Sequence, residues 1–118
     1  MLKTSLLTVI ETPSFLKDAK KMLDEEEREA LIYFLASNPK AGTLITGTGG
    51  VRKLRWSRSD TGKSGAYRVI YFFHSMQIPL FALNVFAKND KGNISQAERN
   101  ELKKLTALLV KQYNKEGS

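Results

Sequence analysis

The sequence predicts one α+β domain in the order β-α-α-β-β-β-α, a small antiparallel sheet with helices packed on one face. Three observations predict it. The chain has 118 residues, a length for one domain. Helix-start signals stand at Thr12-Pro13, Asp24 and Ser95. Between the second and third of these, apolar runs of strand length follow one another through short polar loops, the pattern of an antiparallel meander. Residues 1–113 form the domain and 114–118 a flexible C-terminal tail.

Leu6–Ile10 is a short apolar run with Thr8 and Val9 inside it, and reads as a first strand rather than a targeting peptide. Thr12 then caps a helix whose first position is Pro13, where a missing N–H costs nothing. Phe15, Ala19 and Met22 give it one apolar stripe. Asp24 and Glu27 form a capping box for a second helix over Glu25–Ser37, with Leu31, Phe34 and Leu35 inward. Asn38-Pro39 stops it, because the residue before proline disfavours helical dihedrals.

Gly42–Gly50 is a connection rich in glycine and threonine, with Leu44 and Ile45 expected in the core. Along the strand Val51–Ser57, Leu54 and Trp56 take one side while Lys53, Arg55 and Ser57 take the other. Ser59–Gly65 is a hairpin loop, Ala66–Phe73 a strand apolar except at Arg68, His74–Gln77 a turn and Pro79–Ala87 a further strand. After a polar loop, Ser95 and Glu98 make a second capping box. The last helix then runs to Tyr113 with Leu102, Leu105 and Leu109 inward.

Charge is unevenly distributed. Nineteen Lys and Arg against twelve Asp and Glu give a net charge of +7, and phosphate-rich nucleic acid is the natural partner of such an excess. Six basic residues fall between Arg52 and Arg68 with only Asp60 against them, whereas Asp24–Glu29 holds five acids and one Arg. Lys53 and Arg55 leave one strand face together, and Arg68, with few acids nearby, is expected to join them on an open face. Lys88 ends the next strand, and Lys63 in the glycine loop could reach over the same face.

Other signals fail on their chemistry. Gly62-Lys63-Ser64 echoes a phosphate loop, but position 57 is Ser rather than Gly, and a strand rather than a helix follows. Gly47-Thr48-Gly49-Gly50 lacks a third dinucleotide glycine and also leads into a strand. His74 has no second His or Cys beside it, so no metal site is expected. Without cysteine there is no disulfide framework and no thiolate nucleophile. No apolar run is long enough to span a bilayer, and a cytoplasmic protein without cofactor is expected.

Three segments taken in order, Gly47-Thr48-Gly49-Gly50-Val51-Arg52-Lys53-Leu54-Arg55, Gly62-Lys63-Ser64-Gly65-Ala66-Tyr67-Arg68-Val69-Ile70-Tyr71 and Phe86-Ala87-Lys88-Asn89, resemble the RelE/HigB superfamily of type II toxin–antitoxin systems. The HigB branch is the closer likeness, over about residues 6–110. The resemblance implies a RelE-like microbial RNase fold and a ribosome-dependent mRNA endoribonuclease that inhibits translation. It also implies a cognate antitoxin, with the ribosome and mRNA as further partners. Cleavage in that family needs no metal: the RNA 2′-OH attacks the adjacent phosphorus, leaving a cyclic or 3′-phosphate. By the same resemblance Lys53, Arg55, Arg68 and Lys88 are the catalytic candidates, and Arg52, Lys63 and Asn89 contact RNA or phosphate. Lys53 is the candidate base, since neighbouring cations disfavour a protonated lysine. Arg55 and Arg68 are the phosphate clamp. Two alternatives stay open, a ParE-like toxin that inhibits gyrase and a nucleic-acid-binding domain without catalysis.

Overall fold

The computed structural model describes residues 6–57, 66–87 and 94–117. Its elements are β1 (Val9–Glu11), α1 (Pro13–Met22), α2 (Glu25–Ser37), β2 (Thr43–Leu44), β3 (Val51–Ser57), β4 (Ala66–Phe72), β5 (Leu80–Ala87) and α3 (Gln96–Gly117). The α+β class and the order of the main elements are those expected. The short strand β2 is new, and it emerges from the stretch read as a connection.

Local chemistry sets the helix starts. The Thr12 hydroxyl oxygen accepts from Phe15 N at 3.2 Å and also donates to Ala82 O at 2.9 Å, so the cap of α1 is pinned to β5. Asp24 accepts from Glu27 N at 2.8 Å, and the Glu27 carboxylate accepts from Asp24 N at 2.9 Å. Ser95 and Glu98 repeat this reciprocal pair before α3. That helix continues past Tyr113 because no breaker stands in its way before Gly117.

The sheet has the order β1-β5-β4-β3-β2. β3, β4 and β5 form the expected antiparallel meander, and β2 adds antiparallel to β3. β1 pairs parallel to β5, Val9 beside Leu80 and Glu11 beside Ala82, which makes the sheet mixed rather than purely antiparallel. Opposite the step from Ile70 to Tyr71, the partner residue shifts from Asn84 to Ala82, so Leu83 is an extra residue in β5. Asp18 of α1 accepts from Val85 N at 3.0 Å and Asn84 Nδ2 at 3.2 Å, fixing the bulge to the helix.

The helices do not share one face. Val69, Ile70, Tyr71, Phe72 and Phe73 are consecutive and all buried. A strand buried at successive positions must be covered on both sides. One side is packed by Phe15, Ala19, Leu31 and Leu35 of α1 and α2 against Leu54, Val69, Tyr71 and Leu80. On the other, Leu102, Leu109, Val110 and Tyr113 of α3 lie against Val51, Ile70, Phe72, Phe81 and Leu83. Truncating Phe15 or Leu31, each 0% exposed, costs about 2–5 kcal/mol. Leu105 is exposed, because the stripe that meets the sheet runs through Leu102, Thr106, Leu109 and Tyr113 and leaves it on the flank. Leu44 is likewise exposed rather than in the core, while Ile45 packs beneath α3. No described helix is long and apolar enough to cross a membrane.

Candidate functional site

Alternation along β3 sorts its basic residues. Leu54 faces the α1 and α2 side and Trp56 packs there against the Phe34 ring, with centroids 5.4 Å apart. Lys53 and Arg55, of opposite parity, leave the side occupied by α3. In the pairing of β3 with β4, Lys53 stands opposite Ile70 and Arg55 opposite Arg68. On β5, Arg68 meets Phe86 and Ile70 meets Asn84. Two cross-strand rows result, Arg55–Arg68–Phe86 and Lys53–Ile70–Asn84. Directly opposed residues have Cβ atoms about 4.5–5.5 Å apart, and Lys53 lies roughly 7 Å along the strand from Arg55. The three cations are therefore gathered on one side of the sheet; alternation predicts this for Lys53 and Arg55, and the register of β3 with β4 adds Arg68.

That patch is not an open, uncovered face. α3 occupies the same side of the sheet over Ile70 and Phe72, so the cations line the uncovered part of a helix-covered surface. Lys53 and Arg68 are half-buried and Arg55 is exposed. Nη1 of Arg68 is buried with no hydrogen-bond partner. Among the described residues none of the three forms an ion pair. A buried guanidinium N–H without an acceptor is unfavourable, and an anion is its natural complement. Beside the patch a groove of about 640 Å³ opens between the sheet residues Ile70, Asn84 and Phe86 and the α3 residues Glu101 and Leu102.

Arg52 lies elsewhere. It pairs with Tyr71 and shares that residue's side of the sheet, opposite to Lys53, Arg55 and Arg68. Its Nη1 donates to Gly42 O at 2.7 Å and Lys40 O at 3.2 Å. The Tyr71 hydroxyl donates to Pro39 O at 2.8 Å and accepts from Gly42 N at 2.8 Å. Arg52 and Tyr71 together staple the 39–42 loop behind the cationic strand. Burial pushes the Tyr71 phenol above its ordinary range, against the opposing pull of the Gly42 N–H and the Arg52 charge. The parity of β3 puts Arg52 with Leu54 and Trp56, a signal passed over when Arg52 was expected among the RNA or phosphate contacts.

Lys63, Lys88 and Asn89 lie outside the described residues. His74 is exposed, as expected of a surface histidine, with its ring 6.4 Å from that of Phe72. The acids Glu25 and Glu27 serve α2: Glu25 pairs with Arg28, which also binds Glu11, and Glu27 closes the capping box.

The chain matches the family described as RelE toxin of the RelE/RelB toxin–antitoxin system over residues 15–116. Among solved structures it is similar to a mutant of the E. coli toxin RelE in the free state. The two share 20% identity at a TM-score of 0.51, over 91% of this chain and 97% of that one. At that identity the likeness speaks for the fold, and the helices and five-stranded sheet described above are that fold. The family match spans most of the chain and includes every cation of the patch. The protein belongs to the RelE family of toxins from toxin–antitoxin systems, and an antitoxin partner follows from that membership.

Proposed function

We propose that this toxin is a HigB-like, ribosome-dependent endoribonuclease that cuts mRNA and thereby inhibits translation. The observation that carries the reading is the opposition of Arg55 and Arg68 on adjacent strands, with a buried Arg68 N–H lacking an acceptor. Two like charges facing each other destabilise a sheet by roughly 0.2–1 kcal/mol, and a phosphate between them removes that cost.

In this reading the two guanidinium groups clamp the scissile phosphate and stabilise the negative charge that builds on it as the phosphorane forms. Lys53, on the same face, takes the proton from the RNA 2′-OH. The 2′-oxygen bonds to phosphorus, the bond from phosphorus to the 5′-oxygen breaks, and that oxygen acquires a proton. The products are a 2′,3′-cyclic phosphate and a free 5′-hydroxyl. Lys63 and Lys88 support the phosphate or the leaving group, and Asn89 contacts the RNA. Arg52 takes no part, because its side chain is engaged behind the sheet. The ribosome supplies the geometry that holds the codon against the patch.

The test is to incubate the chain with mRNA-programmed ribosomes, then identify the new RNA ends by mass spectrometry. Cyclic phosphate ends support the reading. Intact mRNA together with inhibited gyrase would replace it by a gyrase toxin, and salt-sensitive RNA binding without product by a binding domain.

A further inference from the structure

The turn Gly47-Thr48-Gly49-Gly50 binds no phosphate in the proposed function, yet it is built with unusual economy of space. Ile45 N donates to Val51 O at 2.9 Å, closing the turn. Inside it the Thr48 hydroxyl donates to Ile45 O at 2.7 Å and accepts from Val51 N at 3.0 Å. The backbone carbonyl of Thr48 points outward and accepts from the Thr106 hydroxyl of α3 at 2.9 Å, across 58 residues of sequence. Thr48 is 0% exposed and Thr106 2%. Gly49 has φ +79°, and a Cβ there would sit 2.5 Å from Thr106 Oγ1. The turn and the helix approach so closely that only glycine fits between them.

The Thr106 hydroxyl has a second acceptor in its own helix, Lys103 O at 3.1 Å. It would stay satisfied if the turn moved away, whereas the buried Thr48 carbonyl would not. The contact therefore secures the turn more than the helix. The chain leaves the turn through Val51, which is fully buried beneath α3, and Lys53 and Arg55 follow on the same side of the same strand.

We infer that Thr106 is a positioning residue: its hydrogen bond to Thr48 sets the aim of β3, and so of Lys53 and Arg55, from the C-terminal helix. The helix thus takes part in the cationic site through a hydrogen bond to the turn that precedes β3. The effect on cleavage rests on the ribonuclease reading, whereas the mechanical link between α3 and β3 does not.

Thr106→Val keeps the shape of the side chain and removes the donor, and Thr106→Ser restores the donor with less bulk. Two measurements are made on each full-length variant, amide hydrogen exchange and the rate of mRNA cleavage on ribosomes. In Thr106→Val, exchange is expected to quicken over residues 45–55 and not in α1 or β5. kcat is expected to fall at least about tenfold at unchanged KM, since small misplacements of catalytic groups are costly in rate. Thr106→Ser is expected to return both to wild type. A general loss of stability would quicken exchange in every strand and would not be repaired by serine.

Unchanged exchange over residues 45–55 in folded Thr106→Val, or an increase spread evenly over the sheet, overturns the inference. So does wild-type cleavage in that variant. If the wild-type chain cuts no mRNA, the ribonuclease reading fails and the exchange pattern alone decides the link. Should Thr106→Val not fold, Thr106→Cys, a weaker donor of similar size, takes its place with the same expectations in smaller measure.

Discussion

Arg55 and Arg68 stand directly opposite one another on β3 and β4, two cations paired across a sheet whose described residues offer neither of them a carboxylate. Such a pair works against folding. The Arg68 Nη1 is in addition buried without a hydrogen-bond partner, and under the proposed function a phosphate of the RNA is what fills that place.

Replacing Arg68 therefore separates stability from activity. Arg68→Ala is expected to leave stability unchanged or raise it by up to about 1 kcal/mol as the like-charge opposition disappears. Cleavage is expected to fall by about 10²–10³-fold, the usual consequence of losing one donor to a developing negative charge. Arg68→Lys is expected to be impaired as well, because a point charge does not reproduce a bidentate fork. Thermal melts and cleavage rates check the pair of expectations, and a destabilisation above about 2 kcal/mol would assign Arg68 a structural role.

Arg52 and Arg55 are three residues apart and should behave in opposite ways. Arg52→Ala removes the bonds to Lys40 O and Gly42 O and is expected to cost about 1 kcal/mol in a denaturant melt. It should leave cleavage within a few-fold of wild type. Arg55→Ala should leave stability nearly intact and remove most of the cleavage. Equal losses of activity in the two variants would return Arg52 to the RNA-binding surface.

Tyr71 ties the 39–42 loop down through a buried phenol whose pKa lies above the ordinary 10.0. A raised folded-state value means that the unfolded chain releases this proton first as pH climbs. The contribution to stability is thus complete below about pH 10 and is lost as pH rises through the folded-state value. Tyr71→Phe is expected to cost about 1–3 kcal/mol at neutral pH, since Gly42 N loses its acceptor. It should also flatten the alkaline fall in stability. Urea melts of both proteins across alkaline pH measure it, and parallel curves would show that Tyr71 is not the titrating group.

The glycines of the 47–50 turn divide by surroundings. Gly47 has φ +80° with nothing within 4 Å of an added Cβ, so Gly47→Ala carries only the left-handed strain of about 1–2 kcal/mol. Gly49→Ala adds a collision with Thr106 and should cost clearly more. Comparable melting temperatures for the two variants would mean that α3 yields to the turn freely.

Much of this was legible in the residues. Period-two alternation is strict, so Lys53 and Arg55 could be placed on one face from the apolar Leu54 and Trp56 between and beyond them. The same rule assigns Arg52 to the other face, and grouping it with the RNA contacts set aside its parity. Capping chemistry is local, and the starts of α1, α2 and α3 were readable for that reason. The expectation of helices on one face was wrong although the signal was there, since an uninterrupted apolar run such as Val69–Phe73 calls for cover on both faces. The parallel pairing of β1 with β5 was not legible, because it joins segments some seventy residues apart with no local signal at either. Nor was the facing of Arg55 and Arg68, which depends on cross-strand register, or the Thr48–Thr106 bond, which depends on where α3 crosses the sheet.

Under the proposed function, the patch of Lys53, Arg55 and Arg68 cuts mRNA on the ribosome. Cell-free translation followed by primer extension on the message tests it most directly, with wild type, Arg52→Ala and Arg68→Ala run side by side. Discrete cuts that require ribosomes are expected with wild type and Arg52→Ala, and none with folded Arg68→Ala. Uncut message with translation intact, or cuts by Arg68→Ala at the wild-type rate, would contradict it.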